Sequence, residues 1–375
     1  MKKKKRQSLI VIIVLLCLSL LVYFLFPKPP VSLSSFDKRA VWLSYQELST
    51  LSYDSQESFQ EDFQDILNTI KNYKNNTIIV QVRTFSDALY SSKLYPLSQV
   101  ITHHQTLTFD PLEEMIQLSH QNDISIEAWI NPYRISLNEK TYNQFLTSKK
   151  RSWLNDSNQT IHYGTYQYIF NPASQKVRDY IVEGVEEIIT QYDIDGIHFD
   201  DYFYVPGTHD QTTQNERLDN VNMLIQDVYH CIKSYDNDIS FGISPQGNYE
   251  NCINEGADID TWLKEEGYID YLMPQIYWSD YYGKDGNVTM FSDRAKKFSK
   301  IERNSHVQLY AGLALYQAGK SLESDQGWSM SSHNLSDQVQ ILSQLGYDGY
   351  SLFRYDYLLK VDGKKEMDEL LKDHP

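Results

Sequence analysis

Two acidic residues stand in apolar strand-like surroundings, Glu127 in ISIEAWI and Asp200 in DGIHFD. Strand geometry sends alternate side chains to opposite faces, so each acid lies on the face opposite its aliphatic neighbours. A pair of inward carboxylates on neighbouring strands suits hydrolysis of a glycosidic bond. That reaction needs a proton donor at the leaving oxygen and a carboxylate that attacks the anomeric carbon or activates water. Asp201 follows Asp200 directly, but regular alternation turns it the other way unless the strand end twists. Glu127 and Asp201 therefore both stand as candidates for the second carboxylate. The structural alternative for either inward acid is an ion pair with Arg83. His198 shares the face of Asp200, and a histidine so placed is more often a hydrogen-bonded interior residue than a metal ligand. The His103–His104 pair has no evident third ligand, and no G-x-S-x-G elbow, phosphate loop or HExxH helix occurs. Neither a metal nor a cofactor is expected.

Aromatic residues are abundant, with 29 Tyr and 6 Trp. Trp129, Tyr202, Tyr204, Tyr277 and Trp278 fall near the ends of the strand candidates, where rings can stack on the C–H faces of sugars. Each taken alone is more often a packing residue, but five around one mouth favour a carbohydrate cleft.

The elements that position these residues recur in one pattern: a short β-rich run, a polar loop, then an amphipathic helical stretch. Strands are expected at 39–45, 77–83, 124–130, 195–200, 239–244, 269–277, 306–315 and 347–353. Helices are expected between them, at 58–73, 110–121, 177–192 and 217–235 among others. Alternation of strand and helix implies parallel βαβ units, and eight of them imply an α/β fold of the (β/α)8 TIM-barrel type. Alternation also assigns faces. Ile78, Val80 and Val82 turn outward and leave Gln81 and Arg83 inward, and Ile126, Ala128 and Ile130 leave Glu127, Trp129 and Asn131 inward. By the same rule His198, Asp200, Gly242, Ser244, Gln275, Tyr277, Tyr310, Gly312, Ser351 and Phe353 point into the barrel. Polar inward residues gather at the C-terminal strand ends, where barrel enzymes place their active sites.

The net charge is −16, and with the five positive charges of Lys2–Arg6 set aside the remainder carries −21. Nucleic acid is excluded as a partner, because phosphate backbones are bound by basic surfaces. Of the three cysteines, Cys17 lies in the apolar N-terminal run, while Cys231 and Cys252 have neither metal-site spacing nor the number of a disulfide framework. The basic residues 1–7 precede an uncharged apolar run at 8–26, long enough to span a bilayer, which needs about 20 residues. No small-x-small cleavage site follows, and leucines precede Cys17 where a lipoprotein signal has small residues. The run is expected to be an uncleaved single-pass anchor that leaves the barrel outside the cell membrane. Residues 27–37 then form a stiff tether, with the barrel over 38–375.

RAVWLSY, QVR, EAWINPYR, DGIHFDDYFY, FGISP and YIDYLMPQIYW, in that order, resemble the glycosyl-hydrolase-like family ten barrels of bacterial cell envelopes. The resemblance runs from Lys38 to the C-terminal region, and HFDDYFY and MPQIYW are its most specific strings. It implies a TIM-barrel glycosidase, some members acting on peptidoglycan glycan strands stripped of stem peptides. It also implies that Asp200 and Asp201 are the family's paired aspartates, that Asn131, Tyr133 and Arg134 form its NPYR loop, and that Gln275, Tyr277 and Trp278 form its PQIYW segment. SPQG departs from the more usual SPFG. Glu127 occupies a position that alternates between Glu and His. The substrate expected is a cell-wall polysaccharide. The rival readings are a non-catalytic glycan-binding barrel and a metal-assisted wall-sugar deacetylase using His198 and Asp200.

Overall fold

The stretch Thr77–Arg83 carries the β-branched run Thr77–Val80 and is buried along its whole length, as a barrel strand must be. In the computed structural model, which describes residues 31–200, 203–209 and 212–375, eight such strands close on themselves. In chain order the strands are β1 (Lys38–Leu43), β2 (Thr77–Arg83), β3 (Ser125–Ile130), β4 (Arg134–Ser136), β5 (Thr160–Gly164), β6 (Gln167–Phe170), β7 (Gly196–Phe199), β8 (Ser240–Ile243), β9 (Tyr271–Leu272), β10 (Gln308–Leu313) and β11 (Gly349–Leu352). All but β4–β6 form the barrel, in the order β1-β11-β10-β9-β8-β7-β3-β2, closed by parallel pairing of β1 with β2. The expected (β/α)8 architecture is present.

Helices cover the outside for local reasons. Gln56–Asn72 starts at Ser55, whose hydroxyl accepts from the Ser58 N–H, and buries Phe59, Phe63, Ile66, Leu67 and Ile70 along one stripe. Pro111–Gln121 starts at Asp110 with proline in its first turn, and Gln214–Tyr235 starts with a Thr213/Glu216 capping box.

The apolar residues fall into two separate bodies. Ile78, Val80, Ile126, Ala128, Ile197, Phe199, Phe241 and Ile243 belong to the layer between sheet and helices. Ala40, Trp42, Ile79, Trp129, Tyr271, Met273 and Tyr310 form a smaller cluster inside the barrel, with Phe353 at its edge. Large rings fill the interior only because glycine faces them. A Cβ on Gly242 would stand 2.0 Å from the Tyr271 ring, and one on Gly312 would stand 2.8 Å from that of Trp42.

Three features differ from the expectation. The sixth barrel strand is short, because Pro274 has no N–H to continue the ladder, and the sheet resumes only as bridges from Gln275 to Gln246 and Gly312. Between β3 and β7 the chain leaves the barrel and forms a three-stranded antiparallel sheet in the order β4-β6-β5. Third, β2 carries a bulge between Gln81 and Arg83, which shifts its register against β3.

Among the described residues no helix is long and apolar enough to cross a membrane. The expected basic tail 1–7 and anchor 8–26 lie outside the described residues. Of the expected tether, residues 31–37 are described, and Leu33 and Phe36 are buried, with Phe36 edge-on to Tyr350. Cys231 and Cys252 form no disulfide.

Candidate active site

At the C-terminal rim a directed chain of amides ends on Asp200. The Tyr45 N–H donates to Gln81 Oε1 at 2.9 Å, and Gln81 Nε2 donates to Asn131 Oδ1 at 2.6 Å. Asn131 Nδ2 then donates to Asp200 Oδ2. A backbone N–H can only donate, so both amide orientations follow from the first bond. Arg134, the first residue of β4, brings Nη2 to 3.4 Å from the same oxygen. Asp200 is only 3% exposed. Two donors, one of them a cation, thus complement a negative charge on Oδ2 in a setting poor in water.

A second chain runs down the barrel axis. Lys38 pairs with Glu127 Oε1, the Ser240 hydroxyl donates to that oxygen at 3.3 Å, and Tyr271 donates to Glu127 Oε2. The Tyr271 hydroxyl also meets His198 Nδ1 at 2.7 Å. His198 Nε2 lies 3.3 Å from the Trp42 indole N–H and 2.9 Å from Ser244 Oγ. An indole nitrogen donates only, so Nε2 accepts and the proton of His198 sits on Nδ1, directed at Tyr271. Burial, aided by the Lys38 charge, holds His198 well below its ordinary pKa, so the ring stays neutral. Burial first, and then the Glu127 carboxylate, push the Tyr271 hydroxyl well above its own.

Trp129 is buried between these two chains on β3, and its indole N–H meets no acceptor among the described residues. Gln275 Nε2 donates to the Ser244 carbonyl at 3.0 Å and holds the rim near β8. Tyr277 is half-buried at the mouth and packs on Phe353 at 5.5 Å between ring centres. The Trp278 ring lies against Gly247, in the loop after β8, and 5.7 Å from the Arg294 guanidinium.

Four expected site residues lie elsewhere. Glu127 faces inward, but it sits at the barrel floor with the first residues of β1, β8 and β9 and holds Lys38. It does not reach Asp200. Arg83 was expected inward, yet the bulge puts it on the outer face. There it stacks on Tyr95 at 4.6 Å and donates to the Tyr95 hydroxyl at 2.9 Å. Tyr133 is fully buried in the outer layer, edge-on to Phe203. Tyr204 is buried there too, its hydroxyl accepting from Asn220 at 2.9 Å. Neither ring is at the cleft. Asp201 and Tyr202 lie outside the described residues. His198 does not join Asp200 in a metal set, since protein partners take both its ring nitrogens. Among the described residues the one His/acid group with metal-like spacing is His333, Glu369 and Asp373, and it includes neither His198 nor Asp200.

A family model described as Glycosyl hydrolase-like 10 matches residues 37–216 and 208–330. The chain belongs to that family. It is 28% identical over 385 residues to "Glycosyl hydrolase DigH" of Escherichia coli O6:H1, covering 89% of this chain and 87% of that one. It is 31% identical over 342 residues to "Glycosyl hydrolase YngK" of Bacillus subtilis (strain 168), covering 79% and 64% respectively. Among solved structures, the PgaB (BpsB) glycoside hydrolase domain from Bordetella bronchiseptica matches with a TM-score of 0.58 at 11% identity, covering 89% of this chain and 98% of that one. The catalytic domain of β-amylase from Paenibacillus polymyxa matches with a TM-score of 0.55 at 12% identity, covering 92% and 100%. The two structural likenesses are of fold. The activity class that goes with the Glycosyl hydrolase-like 10 family is glycoside hydrolysis.

Two features of this Glycosyl hydrolase-like 10 barrel were absent from the expected site. Gln81 was placed inward by alternation, but its role in aiming Asn131 depends on a contact with the Tyr45 backbone that no spacing reveals. Glu47 and Arg354 form the other. The Glu47 carboxylate accepts from the Ser44 N–H at 3.0 Å and pairs with Arg354, tying the ends of β1 and β11 together. The signal was present: Ser44 and Glu47 have the S-x-x-E spacing of a capping box.

Proposed function

We propose that this chain is an extracytoplasmic glycoside hydrolase that cleaves a cell-wall polysaccharide, the glycan strands of peptidoglycan, by carboxylate chemistry centred on Asp200. One observation carries the reading: an amide and a guanidinium converge on a single buried oxygen of Asp200 at the C-terminal rim. Donors fixed before substrate arrives need no rearrangement during the reaction. Asp201 is the second carboxylate in this reading, because Glu127 is committed to Lys38 at the floor. Separation of the two carboxyl groups in the working enzyme then sets the outcome, with about 5–5.5 Å giving retention and about 6.5–9.5 Å inversion through an intervening water. The names of DigH and YngK, both glycosyl hydrolases, support the activity. The wall-glycan substrate and the membrane anchor rest on the sequence strings and on the apolar run 8–26.

Mass spectrometry of products from purified wall glycan, with and without stem peptides, tests the proposal. Reducing-end fragments from the peptide-free strands support it. Intact strands, or loss of acetyl groups without chain cleavage, would overturn it in favour of binding or deacetylation.

A further inference from the structure

An aromatic wall leaves the barrel interior on the side opposite the excursion that carries Arg134. It starts at Trp42, 5.8 Å from Phe353, which packs on Tyr277 at 5.5 Å and on Tyr316 at 5.9 Å. Tyr316 lies 5.6 Å from Tyr277 and 6.2 Å from Tyr357. The Tyr316 N–H donates to the Phe353 carbonyl at 3.0 Å, fastening the loop after β10 to the end of β11. Phe353, Tyr277, Tyr316 and Tyr357 are all half-buried, so each keeps ring surface towards solvent. Lys320 ends the wall, with its ammonium 4.9 Å from the Tyr316 ring centre and 5.6 Å from that of Tyr357.

The charges around the barrel make this lysine distinct. Lys38 is committed to Glu127, Arg134 to Asp200 and Arg354 to Glu47. Among the described residues no carboxylate lies within ion-pair distance of Lys320. The chain without its basic N-terminus carries −21, which repels an acidic polymer unless a local cation offsets the field.

We propose that Tyr316, Tyr357 and Lys320 form an outer sugar subsite that takes a carboxylate-bearing sugar, the rings stacking on its C–H face and the ammonium pairing with its carboxylate. This rests on the glycan-cleaving reading above and adds which sugar is read, and where. A neutral sugar, or one whose carboxylate is masked as an amide, stacks on the same rings without the ion pair. The ligand class is thus an acidic glycan whose acid group is free.

The test uses the full 375-residue chain and one glycan in two forms, with its sugar carboxylates free or converted to amides. Binding by calorimetry and cleavage by product analysis are measured on both. The wild type is expected to favour the free acid by about three- to fivefold in Kd and KM, the range an exposed ion pair supports. Lys320→Gln should erase that preference and Lys320→Arg should keep it. Tyr316→Ala should raise KM on both forms by about tenfold with a smaller change in kcat, as loss of a binding contact does. An unchanged preference in Lys320→Gln, or a wild type that binds neither form, would overturn the subsite. A wild type that binds with the stated preference and cleaves neither form would leave the subsite standing and remove the hydrolase reading instead.

Discussion

The floor and the rim of the barrel each hold one buried inward acid, and the two are treated differently. Glu127 at the floor has its own cation, Lys38, and hydroxyls from Ser240 and Tyr271, so its charge is answered by residues of the barrel itself. Asp200 at the rim is answered by Asn131 and Arg134, which stand beyond the end of β3 and at the start of the excursion. Orientation there comes from a relay that begins at the Tyr45 backbone. A self-contained ion pair plugs a barrel. A carboxylate positioned by rim residues is placed for a substrate that enters at that rim. Parity alone does not separate the two, since both acids face inward. Depth along the strand does.

The largest effect that sharpens this contrast is on stability. Glu127→Ala leaves Lys38 uncompensated at the floor, and losing one partner of a buried pair costs about 3–5 kcal/mol. A chemical-denaturation curve should show that loss, with part of it recovered in the double variant Glu127→Ala/Lys38→Met. A midpoint close to wild type would place Glu127 outside the structural plug. Next is Gly242→Ala, which drives a methyl into the Tyr271 ring and should cost about 1–3 kcal/mol through overpacking. A neutral result would mean that the interior cluster yields more easily than its contacts imply.

At the rim, Gln81→Leu keeps the volume but leaves the Tyr45 N–H and Asn131 Oδ1 without their partner. Activity should fall about tenfold, the rate equivalent of about 1.4 kcal/mol, and the groups left unpaired should lower stability by about 1–3 kcal/mol. An unaltered rate would show that Asn131 does not need the relay to hold Asp200. The smallest effect is on pH dependence. His198 is neutral in the fold and its folded pKa is depressed, while the unfolded chain takes up a proton below about 6.5. Stability should therefore be flat with respect to this group above about pH 6.5. Below it, stability should fall by up to about 1.4 kcal/mol per pH unit until the folded pKa is reached. His198→Gln should remove that part of the slope in melts between pH 5.5 and 7.5, and an unchanged slope would mean that other groups produce it.

Much of this molecule is legible from residue order. Ile78, Val80, Ile126 and Ile197 mark the outer face and Trp129, His198 and Asp200 the inner one because barrel strands are buried on both sides with different neighbours. The misassignments have physical causes. Arg83 turns outward because one bulged residue reverses parity, and TIIVQVR contains no glycine or proline to announce it. The short strands β4–β6 are not legible, because three to five residues give too little periodicity to separate from loop. Tyr204 reads as a cleft residue because a tyrosine near a strand end looks the same whether its ring faces sugar or helix, and Tyr133 does so only through the NPYR string of the family resemblance. Glu127 reads as a candidate acid in the sequence because the cation it pairs with, Lys38, lies 89 residues away in the chain.

The account stands or falls on whether the chemistry belongs to the rim acid. Asp200→Asn keeps the shape of the side chain and removes the group that titrates and bears charge. The decisive measurement is kcat on peptide-free wall glycan for this variant, beside a denaturation curve that establishes the fold. The expected result is a loss of about two to four orders of magnitude in rate, as removal of an essential acid or base gives, in a protein that still unfolds cooperatively. A folded Asp200→Asn protein with near wild-type turnover would contradict the account and move the chemistry off this residue.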